Sequence, residues 1–159
     1  MSDIKLFRDA STTAPDPSRI TACFTYGSLM CDDIMSAVAG VRASACTATL
    51  HGYCRHPVIG TAYPGIVARA GHRVQGVLYR DLPASAWPRL DRFEGEEYER
   101  RVVAVALADG TVAHAWTYVF RAELGARLGQ GEWDFDRFLR EGKARFTAQY
   151  IGFDTLRNE

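Results

Sequence analysis

Two strand-like runs joined by a tight turn constrain the fold of this chain more than any other feature of its sequence. Residues 98–108 and 111–120 are rich in β-branched and aromatic residues, and Asp109-Gly110 separates them. An Asp-Gly pair between two such runs is typical of a β-hairpin turn. The sequence therefore predicts an antiparallel hairpin, which needs further strands to bury its apolar face.

Shorter runs predict the remaining strands. Ile20–Tyr26 is β-branched and aromatic, and the loose alternation over 41–58 also favours strand. Ile66–Ala70 and Val74–Tyr79 are predicted as two further strands, joined by a turn at Gly71-His72.

Three helices are predicted, over residues 32–39, 84–94 and 134–150. Ser85 can cap the second helix, and glycines follow the ends of the first two. The buried stripe of the second helix would consist of three apolar residues at three-residue spacing: Trp87, Leu90 and Phe93.

These elements predict the fold class. Several short strands, three short helices and no strict alternation of strand with helix indicate an α+β fold, a small mixed β-barrel with peripheral helices. A length of 159 residues fits one domain. Residues 9–18 are rich in Ser, Thr, Pro and Asp, so we expect residues 1–19 to be a flexible N-terminal leader and residues 20–159 a single domain.

Charge and hydropathy narrow the function classes. The 19 basic and 19 acidic residues give a net charge of +0, so there is no electrostatic case for a nucleic-acid or anionic-membrane partner. The longest apolar run, residues 102–108, is far shorter than the ~20 residues of a membrane span. The N-terminus has no apolar core of signal-peptide length, so we expect a cytoplasmic protein.

The cysteines and histidines do not predict a metal site. Cysteines at positions 23, 31, 46 and 54 lack the spacing of zinc ribbons or thioredoxin-type motifs. We expect them to be small apolar fillers in a reduced protein, with a disulfide pair or a reactive thiol as the alternative. His51 and His56 would lie on opposite faces of a strand.

The segment that ends the first predicted strand can carry chemistry. It reads Thr25-Tyr26-Gly27-Ser28-Leu29-Met30 and leads into the first predicted helix. Gly27 lets the backbone turn sharply, and the N–H groups that follow can point outward as a small anion-binding cradle. An ordinary turn is the alternative interpretation of the same residues.

Four glutamates between residues 94 and 99 form the second candidate segment. Glu94 falls at the predicted end of the second helix, directly after Phe93. The negative end of the helix dipole, and burial in an apolar pocket, would both raise its pKa and make it a stronger general base. The other three glutamates lack that argument and are expected at the surface. A solvated helix end with arginine partners is the alternative.

Together these segments resemble the γ-glutamylcyclotransferase-like family, in particular its avirulence-induced-gene-like branch. The resemblance covers roughly residues 20–120. It rests on the order and spacing of five motifs: YGSLM at 26–30, YPGIV at 63–67, VQGVLY at 74–79, LDRFEGEEYERR at 90–101 and AWTYVF at 115–120.

The resemblance implies a small barrel of mixed strands with peripheral helices. It also implies that Glu94 is the catalytic acid/base and that Tyr98 and Tyr118 line the pocket. The γ-glutamyl moiety would be held, largely by backbone groups, in the loop formed by Tyr26, Gly27, Ser28, Leu29 and Met30.

The implied reaction is an intramolecular cyclisation that needs no metal or organic cofactor. The α-amine of a γ-glutamyl amine or γ-glutamyl amino acid attacks its own γ-carbonyl, and 5-oxoproline and the free amine are released. Glutathione is not the favoured substrate, because the Trp-containing extension of the glutathione-specific branch is absent after Met30. We expect a monomer or homodimer that binds this small molecule.

Two alternatives belong to other function classes. The first is a non-catalytic small-molecule binding or regulatory module on the same fold. The second is an interaction domain that would use an apolar face of the helix predicted over 134–150.

Overall fold

Five strands close into a barrel in the computed structural model, which describes residues 15–150. The order of the strands around the barrel is β1-β3-β2-β4-β5. Strand β1 runs parallel to β5, and the other pairs are antiparallel, so the predicted mixed barrel of an α+β fold is confirmed. The strands are β1 (Cys23–Thr25), β2 (Ala45–Pro57), β3 (Pro64–Tyr79), β4 (Tyr98–Leu107) and β5 (Val112–Phe120).

The predicted hairpin is confirmed as β4 and β5. Their register runs from the pair Tyr98 and Phe120 to the turn at Asp109-Gly110. The Asp109 carboxylate accepts hydrogen bonds from the N–H and hydroxyl of Thr111, at 2.9 and 2.6 Å, and these bonds close the turn.

The prediction of two strands joined by a turn at Gly71-His72 is wrong, because residues 64–79 form the single strand β3. Both halves of β3 pair with β2, and the register shifts between His51 and Tyr53. Gly52 and Gly71 both have positive φ, 86° and 85°, so the ladder bends there without ending. Local sequence does not reveal the long partner strand β2, and pairing with it makes the predicted turn a bend within one strand.

The helices follow the predicted order with two differences. The first two are α1 (Asp32–Ala39) and α2 (Ala86–Glu94), and Ser85 precedes α2 without a side-chain capping bond. The predicted C-terminal helix is interrupted: α3 (Phe135–Arg137) leads through a π-helical turn at Phe138–Gly142 into α4 (Lys143–Tyr150). Asp134 caps α3 by accepting from the Arg137 N–H at 3.2 Å.

Two apolar clusters hold these elements together. One fills the barrel interior, where Phe24, Leu78 and Val105 are at most 1% exposed. Strands β1 and β3 approach closely there, and a Cβ at Gly76 would overlap the Thr25 carbonyl oxygen. The second cluster packs α1, α2 and the C-terminal helices against the outside of the barrel, with Leu90 fully buried.

The N-terminal segment is described from residue 15 onwards, so most of the predicted leader (1–19) lies outside the described residues. Pro17–Arg19 form a 3-10 turn, where the composition predicts no structure, because the Asp16 side chain accepts from the Ser18 N–H at 3.0 Å. Among the helices within residues 15–150, none has the length and apolar character needed to cross a membrane.

Candidate active site

A cavity of about 110 Å³ lies between the end of β1 and the end of α2. Its walls combine the two candidate segments that the sequence keeps far apart. Seven of the eight predicted site residues line it: Tyr26, Gly27, Ser28, Leu29, Glu94, Tyr98 and Tyr118. Met30 does not, because its side chain packs against the outer apolar cluster.

The loop after β1 is a single 3-10 turn, Ser28–Met30. The Gly27 carbonyl accepts from the Met30 N–H at 2.9 Å, and that bond closes the turn. Within residues 15–150, no backbone carbonyl accepts a hydrogen bond from the N–H groups of Ser28 or Leu29, as expected at the start of a helical turn. These two N–H groups are the backbone donors that the loop can offer to a ligand.

Three neighbours fix the position of this loop. The Tyr79 hydroxyl donates to the Leu29 carbonyl at 2.9 Å. The Arg55 guanidinium donates to the Tyr26 carbonyl at 2.9 Å, although its side chain is only 11% exposed. Gly27 packs so closely that a Cβ there would lie 2.8 Å from the ring of Pro64. The loop is therefore held rigidly before any ligand arrives.

Glu94 is the last residue of α2 and lines the cavity. The residue is half-buried, and the protein atoms packed around its carboxyl group raise its pKa to about 8 by desolvation, with a second contribution from the negative charge of Asp91. Its position at the C-terminal end of the helix acts in the same direction. At neutral pH this carboxyl group can therefore both accept and donate a proton.

The three predicted tyrosines have buried hydroxyl groups with defined partners. Tyr26 donates to the Tyr118 carbonyl at 2.6 Å, and Tyr98 donates to the Pro64 carbonyl at 2.7 Å. The Tyr118 hydroxyl donates to the Asp91 carboxylate at 2.7 Å. Burial raises the pKa of all three hydroxyls, so they are neutral at any physiological pH.

Sequence reasoning missed several residues of the site. Tyr63, Phe93 and Phe146 form an aromatic part of the cavity wall, with Phe146 centred 6.4 Å from Tyr63 and 6.0 Å from Phe93. Tyr63 lies in the YPGIV motif, which could have revealed it, whereas Phe146 follows no motif. Arg55 could not be found either, because nothing marks one arginine of a strand as buried.

Glu97 also differs from its expected position. It is half-buried rather than at the surface, because it accepts from the Tyr63 hydroxyl and from Arg127, both at 3.0 Å. Glu96 and Glu99 are exposed as expected.

The described residues contain no group of three or more His, Cys, Asp or Glu side chains placed to hold a metal ion. His51 is exposed, and the His56 Nδ1 lies 2.8 Å from the Gly131 carbonyl oxygen. The four cysteines are free thiols, of which Cys23 and Cys31 are buried.

Comparisons with known proteins agree with this architecture. Residues 23–135 match the family model described as γ-glutamyl cyclotransferase, AIG2-like. AIG2-like protein D of Arabidopsis thaliana is 31% identical over 132 residues, which make up 80% of this chain and 86% of that relative. Protein AIG2 C of the same plant is 31% identical over 127 residues, with 79% and 76% covered.

Solved structures extend the comparison to the fold. The solution structure of an Arabidopsis thaliana protein has a TM-score of 0.64 at 27% identity and covers 85% of this chain and 91% of that one. A structure of a protein named γ-glutamyl cyclotransferase has a TM-score of 0.59 and covers 84% and 80%, but at 17% identity it supports the fold alone. Phe146 lies beyond the family match, so that part of the cavity wall belongs to a segment outside it.

Proposed function

The chain belongs to the γ-glutamyl cyclotransferase, AIG2-like family, and from that premise we propose that it cyclises a γ-glutamyl amine or γ-glutamyl amino acid to 5-oxoproline and releases the amine. One observation carries the proposal. A carboxyl group whose pKa is raised to about 8, that of Glu94, lines the same small cavity as a rigid loop with free N–H groups. No cofactor enters the proposed reaction.

Glu94 would act as the general acid/base. The raised pKa of Glu94, about 8 instead of 4.5, brings this carboxylate much closer to the pKa of an α-ammonium group, so transfer of a proton to it is far less uphill than to an ordinary glutamate. The freed amine then attacks the γ-carbonyl carbon, and the bond to the leaving nitrogen breaks. Two protons leave the α-nitrogen and both end on the departing amine, so Glu94 carries each proton across and finishes in its starting state.

The loop would bind the substrate and stabilise the developing charge. The N–H groups of Ser28 and Leu29 have no backbone acceptor among the described residues and can donate to the α-carboxylate or to the oxyanion. The nucleophile and the carbonyl belong to one substrate molecule. Binding that molecule in a bent conformation, with the amine next to the γ-carbonyl, therefore removes much of the entropic barrier. A small cavity with few polar groups is sufficient for such a reaction.

The test is the release of 5-oxoproline from a panel of γ-glutamyl compounds by wild-type protein and by Glu94→Gln. We expect the variant to retain ligand binding and to lose turnover by about 10²–10⁴-fold, because Gln keeps the shape but cannot carry a proton. Glu99→Gln is the matched control, since it removes an exposed carboxylate from the same segment. Equal turnover by Glu94→Gln and wild type would disprove the role of Glu94.

A further inference from the structure

Four tyrosines line the cavity, and the hydroxyl group of each donates a hydrogen bond to a protein acceptor, with Tyr63 donating to Glu97. Tyr26 donates to the Tyr118 carbonyl, Tyr98 to the Pro64 carbonyl and Tyr118 to the Asp91 carboxylate. A phenol that has donated its proton has only lone pairs left to offer. These hydroxyl groups can therefore accept a hydrogen bond from a ligand but cannot donate one, and the Tyr26 oxygen already accepts one from the Ile66 N–H.

The direction of the hydrogen bond between Tyr118 and Asp91 is the best defined of these, because a carboxylate can only accept a hydrogen bond. Asp91 lies one helical turn before Glu94 on α2 and does not line the cavity. Arg100 pairs with it through two hydrogen bonds, Nε to Oδ1 at 2.8 Å and Nη2 to Oδ2 at 3.2 Å.

Arg100 is itself fixed. Its guanidinium lies 4.9 Å from the ring centre of Trp87 and 4.5 Å from that of Trp116, as in cation–π contacts. Arg100 and Tyr118 are also directly paired across β4 and β5, so both reach the same carboxylate from one sheet position. The carboxylate is thus held from two sides, and the hydroxyl of Tyr118 has one orientation.

We propose that Asp91 is a positioning residue that accepts the hydrogen bond of the Tyr118 hydroxyl, so that the Tyr118 oxygen in turn accepts a hydrogen bond from the α-ammonium group of the ligand beside Glu94. The identity of the ligand as a γ-glutamyl compound rests on the proposed function. An ammonium group has three N–H donors and no acceptor, which complements a wall of tyrosine oxygens and one carboxylate. The tyrosine oxygens offer no donor to an anionic group, so the α-ammonium belongs at this wall and the α-carboxylate of the substrate at the Ser28–Met30 turn.

Asp91 also acts on Glu94 through its charge. The titratable groups that interact with Glu94 from the surrounding elements are Cys23 of β1, Tyr26 of the loop, Tyr98 of β4 and Tyr118 of β5. Burial raises the pKa of each, so all four are neutral near pH 8. Asp91 is the charged group that raises the pKa of Glu94, and its loss would therefore lower that pKa.

A binding measurement tests the proposal independently of turnover. The affinities of L-glutamine and of glutaramate, which has the same γ-amide but no α-ammonium, are measured by calorimetry or NMR titration. We expect wild type to prefer L-glutamine, and Tyr118→Phe and Asp91→Asn to lose about tenfold of that preference, as for a hydrogen bond to a charged group. Glu99→Gln is the control and should keep it. An undiminished preference in both Tyr118→Phe and Asp91→Asn would overturn the proposal.

The pH profile provides the second measurement, with a γ-glutamyl substrate that wild type turns over. On the acidic side of the profile, kcat/KM falls to half its maximum at a pH that reports the pKa of Glu94. This midpoint should move to lower pH in Asp91→Asn, whereas Glu99→Gln should leave it unchanged. A merely structural role of Asp91 would lower activity without moving the midpoint, and that result would also overturn the proposal. If wild type shows no turnover, the proposed function is wrong but the role of Asp91 is still tested. The preference for the ammonium-bearing ligand is a binding measurement that requires no turnover.

Discussion

Replacing Glu94 by Gln should stabilise the protein at high pH and leave its stability nearly unchanged at low pH. The reason is that ionising a carboxyl group surrounded by protein atoms costs free energy, and the pKa of Glu94 rises from 4.5 in an exposed glutamate to about 8. The unfolded chain releases this proton near pH 4.5, whereas the folded chain keeps it until about pH 8. The free energy of unfolding therefore falls as pH rises from about 4.5 and levels off above about 8.

The size of the effect follows from the two pKa values. Each pKa unit corresponds to about 1.4 kcal/mol, so the full difference corresponds to at most about 5 kcal/mol. Glu94 is half-buried beside a cavity that water can enter, and water lowers the cost of the charge. We therefore expect Glu94→Gln to gain about 2–3 kcal/mol over wild type at pH 9, equivalent to a rise in Tm of about 5–10 °C for a chain of this size.

The assay is thermal unfolding followed by circular dichroism at pH 5 and pH 9 for wild type, Glu94→Gln and Glu99→Gln. The difference in Tm between Glu94→Gln and wild type should be small at pH 5 and large at pH 9. Glu99 is exposed and paired with Arg101 at 3.1 Å, so Glu99→Gln should show no such gap. A gap of the same size at both pH values would refute the claim that burial of the charged carboxylate causes it.

Two further substitutions test the loop and the C-terminal helices. Gly27→Ala should lower kcat/KM for 5-oxoproline release by about tenfold or more, because the new Cβ would lie 2.8 Å from the Pro64 ring and displace the loop. If this variant keeps the wild-type kcat/KM, the position of the loop does not matter for the reaction. Asp134→Ala should cost about 1 kcal/mol in urea-induced unfolding, because it removes the hydrogen bond to the Arg137 N–H. An unchanged urea midpoint would mean that this cap does not contribute.

Most of the individual elements could be predicted from the sequence. The β4–β5 hairpin, the two helices that end at Ala39 and Glu94, and the position of Glu94 at a helix end follow from alternation, helical spacing and turn residues. These signals are local, because each depends on the conformation of a few neighbouring residues. The error at Gly71 arose where a partner strand overrode the local turn signal.

The membership of the cavity wall was only partly predictable. The loop after β1 and the end of α2 could be named as candidates, since each lies in one of the motifs on which the family resemblance rests. Phe146, which lines the cavity, and Arg55, which holds the loop without lining the cavity, could not be named, because a phenylalanine in a helix and an arginine in a strand have the same local pattern whether or not they serve the site.

The order of secondary structure and the presence of an unusual carboxylate at a helix end were thus determined by the sequence alone, through patterns that span a few residues. Closure of the barrel determined which segments that are far apart in the sequence lie next to each other. It brought the early glycine loop to Glu94, raised the pKa of that carboxyl group by burial, and turned the Tyr118 proton towards Asp91. Desolvation and hydrogen-bond direction depend on which distant segments pack together, and this is known only once the strands have paired in register.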